Sequence, residues 1–153
     1  MDKEITFRLA TEQDLGQIVK MLADDVLGSK RERYEEPLPE SYLEAFHAIT
    51  ADPNNELVVA CLENDIAGVL QITFTPYITN QGGWRATIEG VRTASSMRGN
   101  GIGSKLIQWA IWRAEEHGCQ MVQLTTNKIR KDALRFYERL GFITSHEGLK
   151  LHL

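Results

Sequence analysis

With 153 residues, 42% of them hydrophobic and 25% charged, the chain has room for one hydrophobic core and fits a single domain over residues 1–153. Its formal net charge of −4 argues against a general nucleic-acid binder, which usually presents a basic face. The longest unbroken apolar run, residues 57–62, is too short to span a bilayer, and the start Met1-Asp2-Lys3-Glu4 has no apolar signal region, so a cytoplasmic protein without membrane contact is expected.

Residues 5–9 alternate and read as a first strand. Thr11 caps a helix, with Asp14 three residues on as a capping-box variant. Leu15, Ile18, Val19 and Leu22 mark its buried face, and the pattern fades near Gly28. Residues 29–39 are charged and proline-bearing, and fit either a solvated loop or a substrate-facing one. A second helix over 40–50 carries Tyr42, Leu43, Phe46 and Ile49 on one side. Residues 56–63 and 66–75 are β-rich and joined by Asn64-Asp65, the signature of an antiparallel hairpin. After the turn Asn80-Gln81-Gly82-Gly83 comes a strand over 84–93, opened by Trp84 and Arg85, two candidate substrate contacts.

The second half changes character. A glycine-rich turn, Arg98-Gly99-Asn100-Gly101-Ile102-Gly103, opens a long helix that runs to about His117 and stops at Gly118. Trp109 and Trp112 lie in its apolar middle and are assigned to core packing. A strand over 120–126, a helix over 132–140 closed by Gly141, and two short strands at 142–143 and 148–152 complete the chain. Cys61 and Cys119 sit in apolar stretches without CxxC or zinc-finger spacing, so free thiols and no metal site are expected. His47, His117, His146 and His152 are scattered, and none is expected to be catalytic.

The glycine turn carries the chemistry. Glycines let the backbone bend sharply and approach a bulky anion. The unpaired N–H groups of the first helical turn, the helix dipole and the charge of Arg98 all favour an anion at that place. The spacing is neither the G-x-G-x-x-G of a dinucleotide fold nor the G-x-x-x-x-G-K-[ST] of a P-loop.

Arg98-x-x-Gly101-x-Gly103 resembles the Q/R-x-x-G-x-G/A motif of the GNAT superfamily of acetyl-CoA-dependent N-acetyltransferases. The upstream strand Glu89-Gly90-Val91-Arg92-Thr93 is similar to that family's acidic-hydrophobic strand. Downstream, Ala133-Leu134-Arg135-Phe136-Tyr137-Glu138-Arg139-Leu140-Gly141-Phe142 resembles its A-x-x-F-Y-x-x-x-G-F segment, one helix and one strand away. The resemblance implies an α/β (α+β) fold: a mixed, mostly antiparallel sheet of about seven strands with about four helices on its two faces. It also implies that residues 87–93 and 121–126 lie side by side and parallel across the long helix.

Acetyl-CoA is the acetyl donor that the resemblance implies, without a metal. The backbone of Val91 and Thr93 would hold the pantetheine arm like an added strand. The turn Arg98, Gly99, Asn100, Gly101, Ile102, Gly103, Ser104 would hold the pyrophosphate. Arg92, Asn127, Asp132, Phe136 and Tyr137 complete the cofactor-binding set. Tyr137 occupies the family's general-acid position, protonating the thiolate that leaves; its other reading is an aromatic packed beside Phe136. Glu89 is the base candidate for an amine that arrives as an ammonium and attacks the thioester directly, through a tetrahedral intermediate; its other reading is a substrate-orienting carboxylate. Where many relatives carry an asparagine, three residues before the alanine, this chain has Arg130. Lys128, Arg130 and Lys131 form a basic cluster that fits either the 3′-phosphate of coenzyme A or a solvated turn.

The implied function is transfer to an amine of a small molecule or a protein, with no nucleic acid and no membrane as partner. A non-catalytic acetyl-CoA-binding regulatory domain on the same fold is the alternative. A homodimer is the family's common habit, and the sequence itself leaves the oligomeric state open.

Overall fold

The computed structural model describes residues 4–153, so the polar start Met1, Asp2 and Lys3 lies outside the described residues. The chain forms two compact units, Met1–Gln123 and Leu124–Leu153.

The first unit runs β1 (Ile5–Leu9), a 3-10 turn (Glu12–Asp14), α1 (Leu15–Ala23), α2 (Val26–Arg31), α3 (Glu40–Ala51), β2 (Asn55–Leu62), β3 (Asp65–Pro76), α4 (Thr79–Gly82, a single turn), β4 (Trp84–Thr93), a 3-10 turn (Ser95–Met97), α5 (Ile102–Glu116) and all but the last residue of β5 (Met121–Leu124). The sheet order is β1-β2-β3-β4-β5. The first three pairings are antiparallel. At the β4–β5 seam the Gln120 N–H donates to Trp84 O at 2.9 Å and Gln123 Nε2 donates to Thr87 Oγ1 at 3.1 Å. Both partners advance in the same direction, as parallel strands require. The expected mixed sheet and the adjacency of these two strands are therefore borne out.

Strand alternation sorts the residues onto two faces. On one face Val58, Ala60, Leu70, Ile72, Phe74, Ala86 and Ile88 are buried together with Ile102, Leu106, Ile107, Ala110 and Ala114 of α5. Polar and aromatic contacts fix α5 there. Arg113 Nη2 pairs with Glu56 Oε2 at 2.7 Å, His117 stacks on Phe74 with centroids 3.7 Å apart, and Trp109 stacks on Phe7 at 5.8 Å. His117 is thus a packing residue. Trp112, expected in the core, is 50% exposed and tilts against Trp109 instead, because it faces away from the sheet.

Gly68 of β3 lies directly against α5. A Cβ there would lie 2.8 Å from Leu106 Cδ1 and 3.0 Å from Arg92 O and Ile102 Cγ2. Leu106 and Ile102 are buried, so neither has free room to yield. Gly68→Ala is expected to destabilise the protein by about 1–3 kcal/mol through overpacking, read as a lower urea midpoint with an unchanged m-value.

On the opposite face α1 covers one end of the sheet, with Ile18 packed on Val59, Cys61 and Val69 and flanked by Met21, Leu22 and Ile66. The helix start carries the expected capping box: the Asp14 carboxylate accepts from the Thr11 N–H at 2.7 Å, and the turn is closed by the Asp14 N–H donating to the Thr11 backbone carbonyl at 3.0 Å. Arg8 Nη1 and Nη2 donate to the same carboxylate at 2.6 and 3.0 Å. The Arg8 hydrogen bonds hold the Asp14 carboxyl below its usual range, opposed by burial and helped by Thr11. A depressed folded-state value contributes stability above the ordinary carboxylate pKa, lost as pH falls through the lowered one. The Arg8 side chain is 45% exposed, so screening keeps this contribution to about 1 kcal/mol. Asp14→Asn is expected to lower the urea midpoint at neutral pH, with the gap to wild type closing below about pH 4.

The first helical stretch does not fade at Gly28. It breaks at Asp24, and α2 restarts under Asp25, whose carboxylate accepts from the Gly28 N–H. The charged stretch after it is helical to Arg31. Beyond that, Tyr42 Oη donates to Glu32 Oε1 at 2.9 Å and accepts from the Arg33 N–H at 3.0 Å.

The second unit contains α6 (Lys131–Arg139), closed by Gly141 at φ +98°. The two strands expected at 142–143 and 148–152 do not form, so among the described residues the sheet has five strands rather than about seven. A strand exists only against a hydrogen-bonding neighbour. These segments are irregular, with Ile143, Leu149 and Leu151 exposed. Among the described residues six helical segments stand where four were expected, because the first helix is split and α4 is the expected turn, a single turn of left-handed backbone at Asn80, Gln81 and Gly82.

Candidate functional site

β4 carries a bulge where the sequence places the cofactor-binding strand. Val69 faces Arg92 and Gln71 faces Glu89, so Gly90 and Val91 together oppose Leu70 alone. Gly90 takes φ +64°, a left-handed conformation that a residue with a Cβ adopts at a cost. The extra residue interrupts the ladder beside Val91 and re-aims the strand. Arg92 points back to the α1–α2 side. Its Nη1 donates to Val91 O at 2.8 Å and its Nη2 lies 4.0 Å from Asp25 Oδ2, the cap of α2. One lone pair of the Val91 carbonyl is therefore used, leaving its other lone pair for an added partner.

The turn after β4 has the expected form of an anion cradle. Gly99 and Gly101 take φ of +88° and +71°, and a Cβ on either would meet open space. Asn100 Nδ2 pins the turn by donating to Met97 O at 2.8 Å. The first α5 hydrogen bond is from the Lys105 N–H to Gly101 O at 3.1 Å, and no side chain caps the helix. The N–H groups of Ile102, Gly103 and Ser104 thus precede the ladder without an intrahelical partner. They stand at the positive end of a 15-residue helix. Arg98 is exposed and forms no ion pair among the described residues. Open space, free donors and a free cation at one turn fit a pyrophosphate.

Glu89, one residue before the bulge, is exposed and likewise has no ion pair among the described residues. It shares its sheet face with Gln71, Thr73 and Thr75 of β3 and Arg85 and Thr87 of β4. Gln71 Nε2 donates to Asn55 Oδ1 at 2.9 Å, and Gln123 Nε2 to Thr87 Oγ1. Beyond the part covered by α1, this face is a polar shelf. Gln71, Thr87 and Gln123 are not among the site residues expected from the sequence. Their signal was polar residues at every second position, 71, 73, 75 and 85, 87, 89, in strands otherwise rich in buried apolar groups.

Of the remaining expected residues, Asn127, Asp132, Phe136 and Tyr137 belong to the second unit. Asn127 Oδ1 accepts from the Ile129 N–H at 3.1 Å and its carbonyl from the Arg130 N–H at 2.9 Å, so this side chain builds the turn before α6. Arg130, at the position where many relatives have asparagine, is the N-cap residue of α6, and Asp132 lies in its first turn. Lys128 and Lys131 are exposed and Arg130 is half-buried. Tyr137 is half-buried, its ring edge-on to Phe136 and Phe142 with centroids 5.1 and 5.7 Å away. Its carbonyl accepts from the Leu140 and Phe142 N–H groups at 3.0 and 3.1 Å. Backbone and ring are thus fixed, which holds the phenol in one place. Among the described residues no helix is long and apolar enough to cross a membrane, and no group of His, Cys, Asp and Glu is arranged to hold a metal.

Comparison with known proteins gives the same direction. Over 107 residues the chain is 31% identical to an aminoalkylphosphonate N-acetyltransferase of Salmonella typhimurium, covering 70% of this chain and 69% of that one. The crystal structure of a transcriptional regulator from Bacillus halodurans matches with a TM-score of 0.95 at 67% identity, over 98% of this chain and all of that one. A putative acetyltransferase from Agrobacterium tumefaciens matches with a TM-score of 0.84 at 25% identity, over 97% and 99% of the two chains. The model of the acetyltransferase (GNAT) family matches residues 23–142, and the chain belongs to that family.

Proposed function

We propose that this protein is an N-acetyltransferase that moves the acetyl group of acetyl-CoA onto the primary amine of a small molecule, or of a protein by the same chemistry. The observation that carries the reading is the open cradle at Gly99–Ser104 at the end of the strand that bears the unpaired Glu89. The small-molecule acceptor of the Salmonella relative supports an amine of that size.

Bound acetyl-CoA supplies an acetyl thioester. The N–H groups of Ile102, Gly103 and Ser104, with Arg98, hold its pyrophosphate. The backbone of Val91 and Thr93 holds the arm beside the bulge. An alkyl amine with a pKa near that of lysine, about 10.4, is almost wholly an ammonium at neutral pH. Glu89 removes that proton, directly or through water, and frees the lone pair that attacks. Tyr137 Oη supplies the proton that leaves with the thiol.

The test is thiol release from acetyl-CoA by purified protein over a panel of small amines and a peptide N-terminus. Amine-dependent release with a matching N-acetyl product is the expected result. Saturable acetyl-CoA binding without turnover on any amine would overturn the enzyme reading in favour of a non-catalytic, acetyl-CoA-binding regulatory domain.

A further inference from the structure

The polar shelf does not end at Glu89. Four residues earlier on the same strand and face stands Arg85, about 13 Å away at the rise of a β-strand. Arg85 lines a cleft of about 380 Å³ with Asn80, Gln81, Gly83, Gln120 and Met121. We propose that this cleft binds an anionic group carried by the acetyl acceptor, so that the acceptor is a zwitterion with its amine at Glu89 and a carboxylate or phosphonate at Arg85. The amine end rests on the acetyl-transfer reading; the anion end rests on the following observations.

The guanidinium is held in place without a counter-ion. Arg85 Cζ lies 4.5 Å from the centroid of the Tyr77 ring, and Nη2 donates to Thr79 Oγ1 at 3.0 Å. Among the described residues no carboxylate pairs with it, and no acid lines the cleft. Elsewhere in the same unit Arg8, Arg31, Arg33 and Arg113 each pair with an acid at 3.1 Å or less. A half-buried guanidinium stacked on an aromatic ring keeps a fork of N–H donors matched to carboxylate or phosphonate oxygens.

The rim is specific as well. Asn80 and Gln81 both adopt left-handed backbone, at φ +54° and +61°. Two successive non-glycine residues in that region are strained, and such strain concentrates where a turn positions functional groups. Their carboxamides and that of Gln120 add neutral donors to the one cation. Gly83 leaves the room that the Gln120 carboxamide fills, since an added Cβ would run into it. A purely structural Arg85 would explain the stacking but not a cleft lined only by neutral groups around it.

The experiment uses wild-type protein, Arg85→Gln and Arg85→Lys, with acetyl-CoA and three acceptor series of matched chain length: ω-amino carboxylates, ω-aminoalkylphosphonates and plain alkylamines. Both kcat/KM and calorimetric binding to the coenzyme A-loaded protein are measured. Wild type is expected to favour a zwitterion over its alkylamine by about 10–100-fold, the size of one charge-assisted contact. Arg85→Gln should collapse that ratio toward unity through KM, and Arg85→Lys should restore part of it, because the charge returns without the fork. The better of the two anion series identifies the headgroup. Equal use of alkylamines and zwitterions, or equal losses on both in Arg85→Gln, overturns the anion site and leaves the acetyl-transfer reading intact. Arg85-dependent zwitterion binding without acetylation of any amine keeps the anion site and overturns the transfer reading. Absence of both binding and turnover overturns both.

Discussion

Gly101→Glu is expected to weaken coenzyme A binding by at least about 100-fold in a protein that still folds. Gly101 sits at φ +71°, ψ +18°, just before α5, and a Cβ there meets no atom within 4 Å. A glutamate at this position therefore costs only the left-handed conformation, about 1–2 kcal/mol. The chain already accommodates Glu63 at φ +58° in the β2–β3 turn. For a chain of 153 residues that cost lowers Tm by only several degrees. The charge acts on a different scale. Two unit charges 4 Å apart repel by about 4 kcal/mol at an effective dielectric constant near 20. That energy alone amounts to about three decades in Kd, so 100-fold allows for screening and side-chain escape. Gly101→Ala separates the two terms, since it carries the same strain without the charge and should lose less than about tenfold. Calorimetry on both variants, with circular dichroism to show the fold, decides the matter. Unchanged affinity in folded Gly101→Glu would remove the phosphate assignment of this turn.

The cradle could be read from the sequence because its determinants are local. Arg98, Gly99, Gly101 and Gly103 are within six residues of one another, and the strand before them ends where the polar turn begins. β4 was expected over 84–93 and is Trp84–Thr93, and α3 and the β2–β3 hairpin also lie close to their expected positions. What was not legible depends on partners distant in the chain. Gln71 and Glu89 face each other across β3 and β4 only because of a register set by many pairings and then shifted by the bulge at Gly90. The shelf to which they belong is a property of that register. Trp112 has the composition of a core residue, but its angle around α5 decides its exposure, and apolar neighbours on all sides of the helix obscured it. The missing final strands have the same cause: residues 148–152 have a strand-like sequence, but strand formation needs an edge to bond to.

Tyr137→Phe and Glu89→Gln are expected to damage the enzyme in different ways, and the difference identifies their roles. Tyr137→Phe keeps the edge-on contacts with Phe136 and Phe142 and leaves the backbone bonds at its carbonyl untouched. Only the hydroxyl is lost. A drop in kcat of roughly 10–10³-fold with little change in coenzyme A affinity is the expected signature of one lost general acid. Glu89→Gln keeps the shape of an exposed side chain and removes its basicity. Its defect should be largest at low pH, where the acceptor arrives as an ammonium, and should fade as pH approaches the amine's own pKa, about 10. The Tyr137→Phe defect should not recover that way, because the group it lacks acts on the departing sulfur. A thiol pKa of about 8.5 makes that sulfur a fair leaving group, which bounds the loss from above. The deciding measurement is the pH dependence of kcat/KM for wild type and both variants with one good acceptor. An acidic limb identical to wild type in Glu89→Gln would exclude Glu89 as the base and leave a water chain in its place. A Tyr137→Phe rate equal to wild type across the range would reduce the phenol to packing between Phe136 and Phe142, with the thiolate leaving unassisted.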